Sequence, residues 1–180
     1  MHTTILDTIL VDALTHRREH KCGGYPYLHA SVLSALVHAN NAKKVLELGT
    51  GIGYTAGFIA SFNPDTHIYT IDQDETHLNL AKKHWENLQI TDQITTYMGK
   101  AEGILPTLEG PYDFIFFDGY APSVKFLTEF SRLLKKGGVL MTANLFVKDP
   151  KGGKYLRALN RTRWWHTGVF EDTAVSVKLF

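Results

Sequence analysis

Glu47, Gly49, Gly51 and Gly53 are the most informative group of residues in this 180-residue chain. The glycines alternate with Thr50 and Ile52, directly after the largely apolar run Val45-Leu46-Glu47-Leu48. Glycine accepts positive φ and lets a ligand come close to the backbone, so a turn of this kind can wrap an anion. Tyr54 and Thr55 follow and open a helical pattern, whose free N–H groups and positive dipole end favour the same charge. Asp72 closes the next apolar run, His67 to Ile71, and Gln73 stands beside it. An acid about 20 positions after a glycine turn is placed to accept hydrogen bonds from a ribose. Two further turns follow apolar runs, Gly99-Lys100-Ala101 and Asp118-Gly119-Tyr120. Together they offer an anion cradle and an acid placed for a ribose, which suit a nucleoside-containing ligand.

These turns need a scaffold, and the pattern supplies one. Ile5, Leu6, Ile9, Leu10, Ala13 and Leu14 recur at helical spacing, so residues 4–20 read as an amphipathic helix that Gly23-Gly24-Tyr25-Pro26 breaks. Leu28, Val32, Leu33, Leu36 and Val37 mark a second helix before the first strand. Helices are expected over 54–62, stopping before Asn63-Pro64, and over 75–88, 102–108, 122–135 and 153–162. Gly137-Gly138 reads as the end of the helix at 122–135. Strands are expected at 95–98, 112–117 and 139–142, with a closing pair at about 164–169 and 174–180. Alternating strands and helices imply an α/β fold with a mostly parallel sheet covered on both faces, to which the closing pair adds one antiparallel strand. In such a sheet a ligand sits at the carboxyl ends of the strands, where strand order reverses. No linker, repeat or low-complexity stretch divides the chain, so one domain is expected over residues 1–180.

Bulk properties narrow the class. A net charge of +1 recruits neither nucleic acid nor membrane by itself. No apolar run is long enough to span a bilayer, and Asp7 and Asp12 interrupt any leader-like N-terminus. The single Cys22 excludes an intrachain disulfide and fits a cytoplasmic, reducing setting. None of the nine histidines is assigned to a metal; His16 and His20, one helical turn apart, read as a solvated face. Lys148, Lys151, Lys154, Arg157, Arg161 and Arg163 lead into Trp164-Trp165. That run is a solvated helix face, an RNA-binding patch or a clamp for an anionic acceptor.

The glycine turn with Glu47 and Asp72 resembles the first two motifs of the class I S-adenosylmethionine (SAM)-dependent methyltransferases. A dinucleotide-binding Rossmann unit is the rival, but its third glycine would fall where Tyr54-Thr55-Ala56 stands. Val45–Ala60, Ile68–Trp85, Gly99–Leu108, Tyr112–Tyr120 and Leu134–Asn144 are similar, in order and spacing, to the catechol and caffeoyl-coenzyme A O-methyltransferase family. The resemblance implies a Rossmann-like seven-stranded sheet with one antiparallel strand, and methyl transfer from SAM to a phenolic oxygen. It places Glu47, Gly49, Thr50, Gly51 and Gly53 at the methionine end of SAM, with Tyr54 and Thr55 toward its carboxylate. It places Asp72 and Gln73 at the ribose, Gly99, Lys100 and Ala101 beside the adenine, and Tyr120 at the adenine or the acceptor pocket. Asp118 then binds the cofactor's ammonium, and Asp118 and Asn144 are the candidate catalytic residues.

Two departures stand out. In the family, an aspartate matching Asp118 and an Asp-Asn pair after the fifth strand hold Mg²⁺; that pair reads Ala143-Asn144 here, and the family lysine three residues after the first aspartate, a base for the acceptor hydroxyl, reads Ala121. Mg²⁺ takes carboxylates and water, so this chain is expected to transfer methyl groups without a metal. The expected partner is a small phenolic or catechol-like acceptor. The alternatives are a tRNA base, an isoaspartyl carboxylate, or no turnover at all in a SAM-binding module. The helices over residues 1–40 would cap the site or form a homodimer interface.

Overall fold

A computed structural model describes residues 2–148, 153–161 and 163–180. Its strands are β1 (Lys44–Leu48), β2 (His67–Asp72), β3 (Ile94–Met98), β4 (Tyr112–Phe117), β5 (Leu134–Thr142), β6 (Trp165–Phe170) and β7 (Thr173–Lys178). They form one seven-stranded sheet in the order β3-β2-β1-β4-β5-β7-β6. β1 to β5 pair in parallel, and β7 runs antiparallel to both its neighbours, so the expected single reversed strand is β7. Strand order turns back at β1, between β2 and β4, and the site is built at the carboxyl ends of that pair.

Side chains alternate across the sheet with the period of two that a strand imposes. Val45, Ile68, Phe114, Phe116 and Met141 face α1 (His2–His20), α2 (Ala30–Ala39), α3 (Tyr54–Phe62) and α4 (Glu75–Leu88). Leu46, Leu48, Ile71, Ile115, Phe117 and Leu140 face the other layer, with Phe130 and Leu133 of α6 (Phe126–Leu133) and Tyr155 and Leu159 of α7 (Gly153–Arg161). The short α5 (Ala101–Ile104) continues into a 3₁₀ turn, Leu105–Thr107, so the helix expected at 102–108 is two pieces. Leu6 and Ile9 of α1 are buried in the chain's own core, while Leu14 of the same helix is exposed. Among the described residues no helix is long and apolar enough to cross a membrane.

The boundary between α6 and β5 differs from expectation. The helix ends at Leu133, and β5 begins at once and includes Gly137 and Gly138. Lys178 Nζ donates to the Ser131 and Leu134 carbonyls at 2.6 and 2.7 Å, ending the helix from across the sheet. Gly137 has φ +75 inside an irregularity of the β4–β5 register, so the glycines mark a distorted strand. No local pattern carries a cap supplied from 40 or more residues away.

Candidate active site

Four strand ends converge on the site because backbone pairing continues past the strands. Gly49 N–H donates to the Ile71 carbonyl at 2.9 Å and Asp118 N–H to the Leu48 carbonyl at 2.8 Å. Gly99 N–H reaches the Asp72 carbonyl at 2.8 Å, and Ala143 N–H the Phe117 carbonyl at 3.0 Å. Glu47, Asp72, Asp118 and Asn144 are thereby fixed at neighbouring strand ends.

The glycines divide in their roles. Gly49 has φ +102, and a Cβ there would lie 2.7 Å from the Asp118 carbonyl oxygen, so only glycine lets β1 and β4 end this close. Gly51 has open space beyond its Cα and donates its N–H to Asp72 Oδ2 at 2.9 Å, leaving backbone bare toward the cavity. Gly53 has another task. Its carbonyl accepts from Trp85 Nε1 at 2.9 Å, it packs α3 on α4, and it lines neither cavity described below.

Asp72 braces the turn as well as facing the cavity. Its Oδ1 accepts from Asp74 N–H at 2.9 Å while Oδ2 takes Gly51 N–H. The clamp is therefore rigid before any ribose arrives.

Glu47 is fully buried, and its Oε2 accepts from Thr70 Oγ1, which in turn bonds Thr50 Oγ1 at 2.7 Å. Its other oxygen has no hydrogen-bond partner. Burial, with the Asp72 charge nearby, pushes the Glu47 carboxyl up to about 8. Asp118 is raised too, chiefly by burial and then by Glu47. Glu47 lies beneath the turn and lines neither cavity described below, whereas Asp118 lines the larger one, so Asp118 is the acid that faces a ligand.

This burial has a pH signature. Folding raises the Glu47 pKa, so the native state holds more protons than the unfolded chain, and stability falls as pH rises from about 4.5 toward about 8. Glu47→Gln is expected to flatten that slope and to stabilise the ligand-free chain at pH 8 by on the order of 4 kcal/mol. Denaturant titrations at several pH values check this; parallel curves for both proteins would contradict it.

Asn144 Nδ2 donates to Asp118 Oδ1 at 3.1 Å and to the Gly119 carbonyl at 3.0 Å, joining the two candidate catalytic residues. A magnesium site of the family type does not fit here. Ala143 offers no ligand where the family has a carboxylate, and Mg²⁺ wants several hard oxygens.

A cavity of about 630 Å³ runs over these residues, lined by Gly49, Thr50, Gly51, Tyr54, Thr55, Asp72, Gln73, Asp118, Tyr120 and Asn144. A second, of about 310 Å³, continues from Asp72 and Gln73 to Gly99, Lys100, Ala101 and Phe126. SAM fits this trench in kind, with a bare backbone turn, a braced acid and an apolar end. Tyr120 is 66% exposed on the rim, with Lys148 Nζ 5.0 Å from its ring centre, so it is not an ordinary core aromatic.

Four lining residues were invisible to pattern reading: His16, Arg17, Cys22 and His77. His16 and His20 do not simply face solvent. Their rings stack 4.7 Å apart, and both meet the buried His77. The i, i+4 spacing of the two histidines was the available signal. In the basic run, Lys154, Arg157 and Arg161 are exposed on α7, while Lys151 lies outside the described residues. Trp165 is buried and Trp164 meets Phe180 edge-on, so the two indoles form no shared stacking platform.

A family model described as O-methyltransferase matches residues 10–151. The chain belongs to the O-methyltransferase family. A catechol O-methyltransferase of Niastella koreensis is 32% identical over 124 residues, covering 66% of this chain and 56% of that protein. A protein-L-isoaspartate O-methyltransferase of Parvibaculum lavamentivorans is 33% identical over 145 residues, covering 79% of this chain and 62% of that protein. The chain thus spans little more than half the length of these relatives. The crystal structure of an O-methyltransferase from Bacillus cereus in complex with SAH superposes with TM-score 0.80 at 18% identity, over 97% of this chain and 90% of that one, which establishes the shared fold.

Proposed function

We propose that this chain transfers the methyl group of SAM to the hydroxyl oxygen of a small phenolic or catechol-like acceptor, without a divalent metal at Asp118. The observation that carries the reading is the joined pair Asp118–Asn144 on the wall of a trench that also holds the bare Gly51 backbone and Asp72. When bound, SAM supplies a methyl group on a positively charged sulfur. The Gly49–Gly51 turn, Tyr54 and Thr55 cradle its carboxylate, Asp118 faces its ammonium, and Asp72 takes the ribose hydroxyls. Lys100 and Ala101 flank the adenine. Gly49 and the β1–β4 junction keep these groups in register, so the chain contributes positioning, which is a large part of catalysis in an in-line displacement. Asn144 holds the Asp118 carboxylate in place from one side. Its pKa, raised by burial, also makes Asp118 the best-placed group to receive the acceptor's proton. The single thiol suits a cytoplasmic setting.

Transfer from labelled SAM to a panel of catechols and hydroxycinnamates tests this, run with Mg²⁺ and after chelation with EDTA. The expected result is transfer of equal rate in both. Transfer lost on chelation and restored by Mg²⁺ would overturn the metal-free reading. The isoaspartate relative favours one second reading, carboxyl methylation of damaged protein. Turnover of an isoaspartyl peptide in place of the phenols would establish it.

A further inference from the structure

Beside the trench floor stands a cluster that the proposed transfer does not use. His16 and His20 on α1, Cys22 in the segment after it, and His77 on α4 each offer one ligand atom, and these four atoms lie within 4.8 Å of one another. Two of the ring nitrogens, His16 Nε2 and His77 Nδ1, are buried without a hydrogen-bond partner. Buried polar atoms are nearly always satisfied, so His16 Nε2 points to a missing partner, while His77 Nδ1 has the Asp72 carboxylate 3.4 Å away.

We propose that His16, His20, Cys22 and His77 bind a divalent cation of the zinc type, which clasps the end of α1 and the following loop to the start of α4. A thiolate with three imidazoles is a donor set for Zn²⁺ and related borderline metals, not for Mg²⁺ or Ca²⁺. Zinc bonds of about 2.0–2.3 Å in a tetrahedron put ligand atoms roughly 3.5 Å apart, so the widest pair must close by roughly 1 Å. Three of the side chains, His16, His20 and Cys22, are not fully buried and can make that shift. An outer partner is present. Asp74 Oδ2 is 3.9 Å from both His20 Nδ1 and His77 Nε2. Carboxylates around ligating histidines orient the rings and raise their basicity. His16, Cys22 and His77 also line the large cavity, so an ion here would fix its wall beside the ribose clamp.

Cobalt titration of the full, chelator-stripped chain tests the site, because Co²⁺ replaces Zn²⁺ and reports thiolate ligation by a charge-transfer band. One Co²⁺ per chain is expected, with that band, and Zn²⁺ should displace it. Cys22→Ser should abolish the band, and the exposed His20→Ala should weaken binding at least about tenfold, the lower end of what even an outer partner contributes. His38→Ala, on the exposed surface of α2, should leave affinity unchanged. No saturable band, or the same affinity in His20→Ala as in the unaltered chain, would overturn the site. Circular dichroism of each variant separates loss of a ligand from loss of fold.

Discussion

Gly49→Ala is expected to destabilise the chain by about 3 kcal/mol or more and to abolish measurable SAM binding. Two costs coincide at this position. The backbone sits at φ +102, which an L side chain rarely adopts, and strain of that type costs about 1–3 kcal/mol. The added methyl would also stand 2.7 Å from the Asp118 carbonyl oxygen and 3.1 Å from its carbon. Those are backbone atoms, so no rotamer change relieves the clash. β1 and β4 must part where Glu47 and Asp118 are held together. Gly51→Ala is the matched control: φ is +51, but nothing lies within 4 Å of the new atom, so a loss of only about 1 kcal/mol is expected. Urea unfolding of both variants decides the matter. Equal midpoints for the two would remove the close β1–β4 approach as the reason for glycine at 49.

Asp72→Ala is expected to weaken SAM affinity by about 100-fold, measured by calorimetry. Loss of an acceptor for two ribose hydroxyls would alone give at least about tenfold. The structure adds a second loss, because the same carboxylate receives Gly51 N–H and Asp74 N–H and so shapes the turn that cradles the carboxylate end. Asp72→Asn keeps one oxygen for that bracing and should fall between the two. Affinity unchanged in Asp72→Ala would show that the ribose binds elsewhere.

The strand-to-turn junctions were legible because each couples an apolar run to a glycine or an acid, and a parallel sheet buries such runs on both faces. β1, β2 and β4 and the convergence of their ends follow from that pattern alone. The α6–β5 boundary was not legible, since Lys178 ends the helix from a distant strand and Gly137 distorts β5 without breaking it. Gly53 looked like part of the anion cradle because spacing cannot separate a glycine that faces a ligand from one that yields to an indole. The His16–His77 neighbourhood failed for a different reason. Its members are some 60 residues apart, and only the packing of α1 on α4 brings them together.

The acid pair beneath the glycine turn affects how any heat of binding must be measured. Near neutral pH much of the Glu47 population carries a proton, because burial holds its pKa at about 8. A cation bound at Asp118, whose charge couples to Glu47, would lower that affinity and send the proton to the buffer. Cofactor association and proton release are then one equilibrium. The apparent enthalpy will differ between phosphate and Tris by the difference in their ionisation heats multiplied by the number of protons released. An enthalpy taken in a single buffer describes the buffer as much as the protein.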